Sequence, residues 1–148
     1  MITIETAKFG TVTLNEENVI HFENGILGFE KIKRFFLIPS ENSNIIFWLQ
    51  AIDDPCISIP CIDPLKICGD YDPLVDEEEL KQLGADGSKD DLTVLCVLLI
   101  PHNFKESTVN LAAPIVINNE NMKAKQVILQ RENYPVNLKI FASGGEEK

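Results

Sequence analysis

Side chains able to do chemistry are few in this chain, and their spacing limits what each can do. His21 sits in an apolar alternation and His102 follows Pro101; no Glu-x-x-His or Gly-x-Ser-x-Gly spacing accompanies either, so both read as ordinary strand or loop residues. Asp53 and Asp54 would be a carboxylate pair for acid–base work, but before Pro55 they read first as a turn in which an aspartate bonds its own backbone. Asp70 and Asp72 begin like a calcium loop. That match fails where Leu74 and Val75 take the fifth and sixth positions and Lys81 the twelfth, which requires a bidentate glutamate. Cys56, Cys61, Cys68 and Cys96 lack the C-x2-C pairing of zinc sites and read as buried small hydrophobes. No cofactor or metal is implied.

The stretch FENGILGFEKIKRFF, residues 22–36, sets Gly25 and Gly28 among aromatic residues and follows them with Lys31, Lys33 and Arg34. A phosphate cradle needs glycines that feed a helix N-terminus, so that free N–H groups converge on the anion. Here another strand-like run follows. The sequence therefore predicts a structural turn with a positive φ at Gly25 or Gly28, with Ile26, Leu27 and Phe29 tucked into the end of the fold. The three basic residues then form a solvated rim.

Charge is distributed unevenly. Of the formal −10, the window 70–91 holds nine acids against Lys81 and Lys89, a net −7. Such a surface repels nucleic-acid backbones and steers a basic partner, so an RNA-binding barrel is disfavoured. Among these acids Asp70, Asp72, Glu77, Glu78 and Glu79 are the leading candidates for partner contact, with Leu27 and Phe29 of the glycine turn as apolar anchors. Trp48 lies inside a long strand-like run and is read as core.

The elements that must position these residues are mostly strands. Runs rich in β-branched and aromatic residues recur at 2–6, 11–14, 19–22, 34–39, 45–52, 56–60, 92–100, 107–111, 114–118 and 125–130, separated by glycine, proline and asparagine. Their spacing predicts an all-β fold, a small closed β-barrel-like domain whose antiparallel or mixed sheet hides its own edges. One short surface helix is expected after Asp76. Glu79 stands at the capping-box position, Val75 and Leu80 form a staple pair, and Gly84 closes the helix. At 148 residues the chain has the size of one domain. The alternating start MITIETAKFG does not resemble a secretory leader, and the longest apolar run, at 92–100, is too short to span a bilayer. A cytoplasmic protein that is not membrane-bound is expected, with reduced thiols.

Several of these pieces together resemble one family. Gly25-Ile26-Leu27-Gly28-Phe29-Glu30, Phe47-Trp48-Leu49-Gln50-Ala51, Asp53-Asp54-Pro55, Ile62-Asp63-Pro64, Tyr71, the run from Asn110 to Asn118, and Gln126-Val127-Ile128-Leu129 follow one another in the order and spacing of the flagellar assembly factor FliW family. The resemblance implies a single β-barrel domain over 1–140 with a flexible C-terminal tail at 141–148. It also implies a non-enzymatic regulator that binds flagellin and, allosterically, the small basic RNA-binding dimer CsrA. A small-ligand-binding barrel or enzyme, with Asp53, Tyr71 and His102 converging at the barrel mouth, is the competing expectation.

Overall fold

Along the strands at 34–39, 46–51, 58–62, 92–99 and 115–118 the side chains alternate between two largely covered faces, which is why runs such as RFFLIP and LTVLCVLLI read as continuous rather than alternating apolar sequence. The computed structural model describes residues 1–41, 43–73, 75–85, 92–129 and 133–141. The expected tail beyond Phe141 lies outside these residues, as do Asp86, Lys89, Asp90 and Asp91 of the acidic window and Leu74.

The described residues form eleven strands: β1 (Ile2–Thr6), β2 (Gly10–Leu14), β3 (Ile20–Phe22), β4 (Arg34–Pro39), β5 (Ile46–Ala51), β6 (Ser58–Ile62), β7 (Leu92–Leu99), β8 (Thr108–Val109), β9 (Ile115–Asn118), β10 (Lys123–Gln126) and β11 (Leu138–Lys139). Seven of them, in the order β7-β6-β5-β4-β3-β10-β9, close into a barrel through the β7–β9 pairing. All contacts are antiparallel except β3 with β10, where Lys123 lies beside His21 and Ala124 beside Phe22. β8 extends the edge of β7 beyond β9. Between the pairs Leu98–Val109 and Leu95–Ile115, β7 advances three residues and its neighbour six, so three extra residues arch outward around Leu111.

The inward set is Ile20, Phe22, Phe35, Leu49, Ala51, Ile59, Cys61, Leu95, Ile115, Ile117 and Ala124, capped at one end by Ile26. Phe22 and Phe35 meet edge-to-face at 5.3 Å, worth about 1 kcal/mol beyond the area they bury. Three structures cover the outer faces. The β1–β2 hairpin lies over Phe36 and Ile38; the 67–73 loop and the 134–140 segment pack on Ile62, Cys96 and Leu98; and the helix side covers Val116 with Leu83, Val127 and Leu129.

Three expectations need correction. Trp48 is not core: it points outward from β5, half-buried against Phe9 at 6.2 Å, with Lys8 Nζ 4.3 Å from its ring centre. Leu27 does not tuck in but stands 55% exposed at the tip of its turn, while Ile26 is buried and Phe29 packs against the core. Cys56 is exposed and Cys68 half-buried; only Cys61 and Cys96 are buried, and they project to opposite faces of the barrel wall with no disulfide among the four.

Candidate functional site

The acidic surface is built on two short elements clamped to the barrel. Asp63 opens the first, accepting from Leu65 N–H at 3.1 Å to start a single turn of 3-10 helix at Pro64–Lys66. The chain then reaches Tyr71, whose hydroxyl donates to the Leu111 carbonyl at 2.7 Å and whose ring lies 4.6 Å from that of Tyr134. Tyr134 Oη accepts from Asp72 N–H at 3.0 Å. A buried tyrosine thus pins a loop that holds Asp70 and Asp72 in solvent. Cys68 Sγ donates to Asp70 Oδ1 at 3.3 Å, which raises the thiol's pKa.

The second element is α1 (Glu77–Gln82). Asp76 takes the N-cap position in extended conformation, although its side chain does not make the capping bond. At the other end Gly84, at φ +75, makes the two-bond C-terminal closure: Ala85 N–H reaches Leu80 O and Gly84 N–H reaches Lys81 O, both at 2.9 Å. Leu80 and Leu83 are buried. Asn118 Nδ2 and Asn121 Nδ2 both donate to the Leu83 carbonyl, at 2.9 and 3.0 Å, satisfying a helix-end acceptor. Lys125 forms an ion pair with Glu79 and a hydrogen bond to Gln82. Of the five acidic candidates, Asp70, Asp72, Glu77 and Glu78 are exposed, whereas Glu79 is half-buried and ties the helix down. Sequence reasoning missed Asn118, Asn121 and Lys125 as helix anchors; the run NNEN at 118–121 signals a turn and nothing of what that turn holds.

The glycine turn is structural, as its sequence predicts, and both glycines adopt positive φ: +69 at Gly25 and +88 at Gly28. Ile26 and Phe29 bridge at its base. Gln126 Oε1 accepts from Leu27 N–H at 2.9 Å while its Nε2 donates to Ala113 O at 3.1 Å, fixing the tip to β10. Glu30 accepts from Gly28 N–H, and that bond holds its carboxyl below the usual range. Leu27 and Phe29 are thus presented differently, one to solvent and one to the core. Near this turn, a cavity of about 490 Å³ is lined by His21, Asn24, Lys33, Lys123 and Lys125 with Gln82 of α1, so the helix and the approach to the turn border one depression.

The residues of the small-ligand alternative do not come together. Asp53 makes a two-bond ion pair with Arg34, at 2.6 and 3.1 Å, and its carboxyl is held below the usual range by it. His102 is exposed beyond β7, and the cavity that Tyr71 lines includes neither of them. Asp54 Oδ1 accepts from Cys56 N–H, the turn its sequence predicts. No group of three or more potential metal ligands occurs among the described residues.

This architecture and these motifs have close relatives. The FliW protein family model matches residues 3–140. The chain belongs to the FliW family. Flagellar assembly factors FliW from Caldanaerobacter subterraneus and Lachnospira eligens are 42% and 38% identical over 139 and 142 residues; both alignments cover 93% of this chain, and 92% and 93% of those proteins. A crystal structure of the flagellar assembly factor FliW superposes with a TM-score of 0.88 at 31% identity, over 97% of this chain and 99% of that one. The FliW barrel is thus shared nearly end to end, and the family is one of flagellar assembly factors rather than a known enzyme class. Among the described residues no helix is long and apolar enough to cross a membrane.

Proposed function

We propose that this chain is a protein-docking regulator of flagellar assembly that binds flagellin and binds and allosterically antagonises the translational repressor CsrA, coupling flagellin level to flagellin translation. Flagellin captures the factor when it accumulates; when unassembled flagellin is scarce, the free factor engages CsrA and relieves repression. One observation carries this reading. Exposed Asp70, Asp72, Glu77 and Glu78 are held on a loop and a helix that Tyr71, Asn118 and Asn121 fasten to the barrel, so the charge is presented on a preorganised surface, which lowers the ordering cost of binding a basic dimer. The work is non-covalent and cytoplasmic, and contact with nucleic acid is indirect, through CsrA.

The test is calorimetric titration of purified CsrA and purified flagellin, each separately, into the protein. Saturable binding of both at micromolar concentration or tighter is expected. Absence of heat and of complex by size-exclusion chromatography with either partner overturns the reading.

A further inference from the structure

Closure of the barrel between β6 and β7 rests on two residue pairs, Cys61 with Val97 and Ile62 with Cys96. Two prolines set that limit. Asp63 N–H donates to Ile45 O and Ile57 O accepts from Ala51 N–H, so odd-numbered residues of β6 turn their backbone groups to β5 and even-numbered ones to β7. Pro60 and Pro64 fall in the even set and carry no N–H. Past Ile62 the chain leaves β7 altogether: the Pro64 carbonyl accepts from Ile67 and Cys68 within the 3-10 turn.

β7 runs on regardless. Its residues Leu92 to Leu95 pair with β9 on one edge only. Asn110 N–H donates to Val97 O, which assigns the odd residues of β7 to the β8–β9 side. The N–H and C=O groups of Val94 and Leu92 therefore face the other edge, where no described residue pairs with them. A cavity of about 560 Å³ lies along this edge, with Leu37 and Phe47 at its inner end, Tyr71 and Pro73 outside, and Asp63 and Pro64 at the lip. It is a notch between the edge of β7 and the chain that leaves β6 at Asp63.

We propose that this notch receives an extended, basic segment of the protein partner as an added β-strand, an inference that rests on the docking reading above. The backbone of Val94 and Leu92 supplies the ladder, and the partner's alternate apolar side chains enter the cavity. Charge selects the occupant: Asp63 is in the wall, and Asp70 and Asp72 flank Tyr71 of that wall in solvent, so cationic side chains fit the segment's remaining positions.

The test has two arms, both with purified CsrA as the basic partner. Hydrogen exchange of the wild-type protein should show the Val94 amide slowed at least about tenfold in the complex. Val94→Pro deletes an N–H with which no described residue pairs; it should leave the fold intact and weaken CsrA binding by about tenfold or more. If wild type binds CsrA while the Val94 amide exchanges at its free rate, the strand addition is overturned and the docking reading stands. Protection by flagellin but not by CsrA overturns the assignment to a basic segment. A wild-type chain that binds neither partner overturns both.

Discussion

Gly25 and Gly28 share a positive φ but differ in the space around them, and that difference gives a prediction the turn geometry must survive. A Cβ added at Gly25 would sit 2.6 Å from both Glu30 Cα and Glu30 O, backbone atoms that cannot rotate away. At Gly28 the same Cβ meets nothing within 4 Å. Placing alanine in the left-handed region costs roughly 1–2 kcal/mol, of which about 0.4–1 is recovered because alanine narrows the unfolded ensemble. Gly28→Ala should therefore cost no more than about 1.6 kcal/mol. Gly25→Ala carries the same strain plus an overpacking cost of about 1–3 kcal/mol for moving the Glu30 backbone, giving roughly 1–4.6 kcal/mol in total. For a domain of this size, at about 3 °C per kcal/mol, that is a Tm drop on the order of 3–14 °C for Gly25→Ala against at most about 5 °C for Gly28→Ala. Urea unfolding followed by far-UV circular dichroism and Trp48 fluorescence measures both, with m-values checked for constancy. Gly25→Ala within about 0.5 kcal/mol of wild type, or Gly28→Ala as the more damaging change, would refute the turn geometry and with it the placement of Leu27 and Phe29.

Three further outcomes follow from the site. Changing Glu77 and Glu78 to lysine moves the formal charge from −10 to −6, two units per substitution, and should slow CsrA association about tenfold at low salt and flatten its salt dependence; stopped-flow rates that do not change would make the acidic face a solubility surface only. The Arg34–Asp53 ion pair is exposed, so it contributes less than about 1 kcal/mol. Because Asp53 is depressed in the folded state, that contribution is present above the ordinary aspartate pKa and lost as pH falls through the lower folded value, and Asp53→Asn should remove this part of the acid limb in a pH series of melts. A thiol titration of native protein should modify Cys56 readily, while Cys96, pushed up to about 12 by burial, and Cys61, pushed up for the same reason, react only in denaturant; fast modification of all four would contradict the core assignment.

Much of the fold was legible in the sequence because strand signals here are local: β4 occupies the run 34–39 that its composition marks, and Gly84 ends α1 where a positive φ is required. What escaped depends on partners distant in sequence. Which apolar residues face inward cannot be read from runs that are buried on both faces, so Trp48, an outward residue covered by Lys8 and Phe9 of the β1–β2 turn, has the sequence surroundings of a core residue. β6 begins two residues late because the Asp54 turn bonds Cys56 and Ile57 first. β10 ends early because its neighbour cannot return the bonds: Val127 and Leu129 still donate in register to Pro114 O and Ala112 O, but Pro114 has no N–H and that of Ala112 goes to Asn110 Oδ1. β11 was hidden by Pro135, although Leu138 and Ile140 alternate with polar residues as an edge strand does. The acidic candidates were visible as composition, and their sorting was not: only the Lys125 contact, contributed by β10, separates Glu79 from Glu77 and Glu78.

A displacement titration tests most directly whether one acidic barrel exchanges its two protein partners. A preformed complex of the protein with CsrA is titrated with purified flagellin while the release of CsrA is followed by fluorescence anisotropy of labelled CsrA. Saturable release, reversed by excess CsrA, is the predicted result. Flagellin that binds the protein and leaves CsrA in place, or that fails to bind at all, would contradict the account.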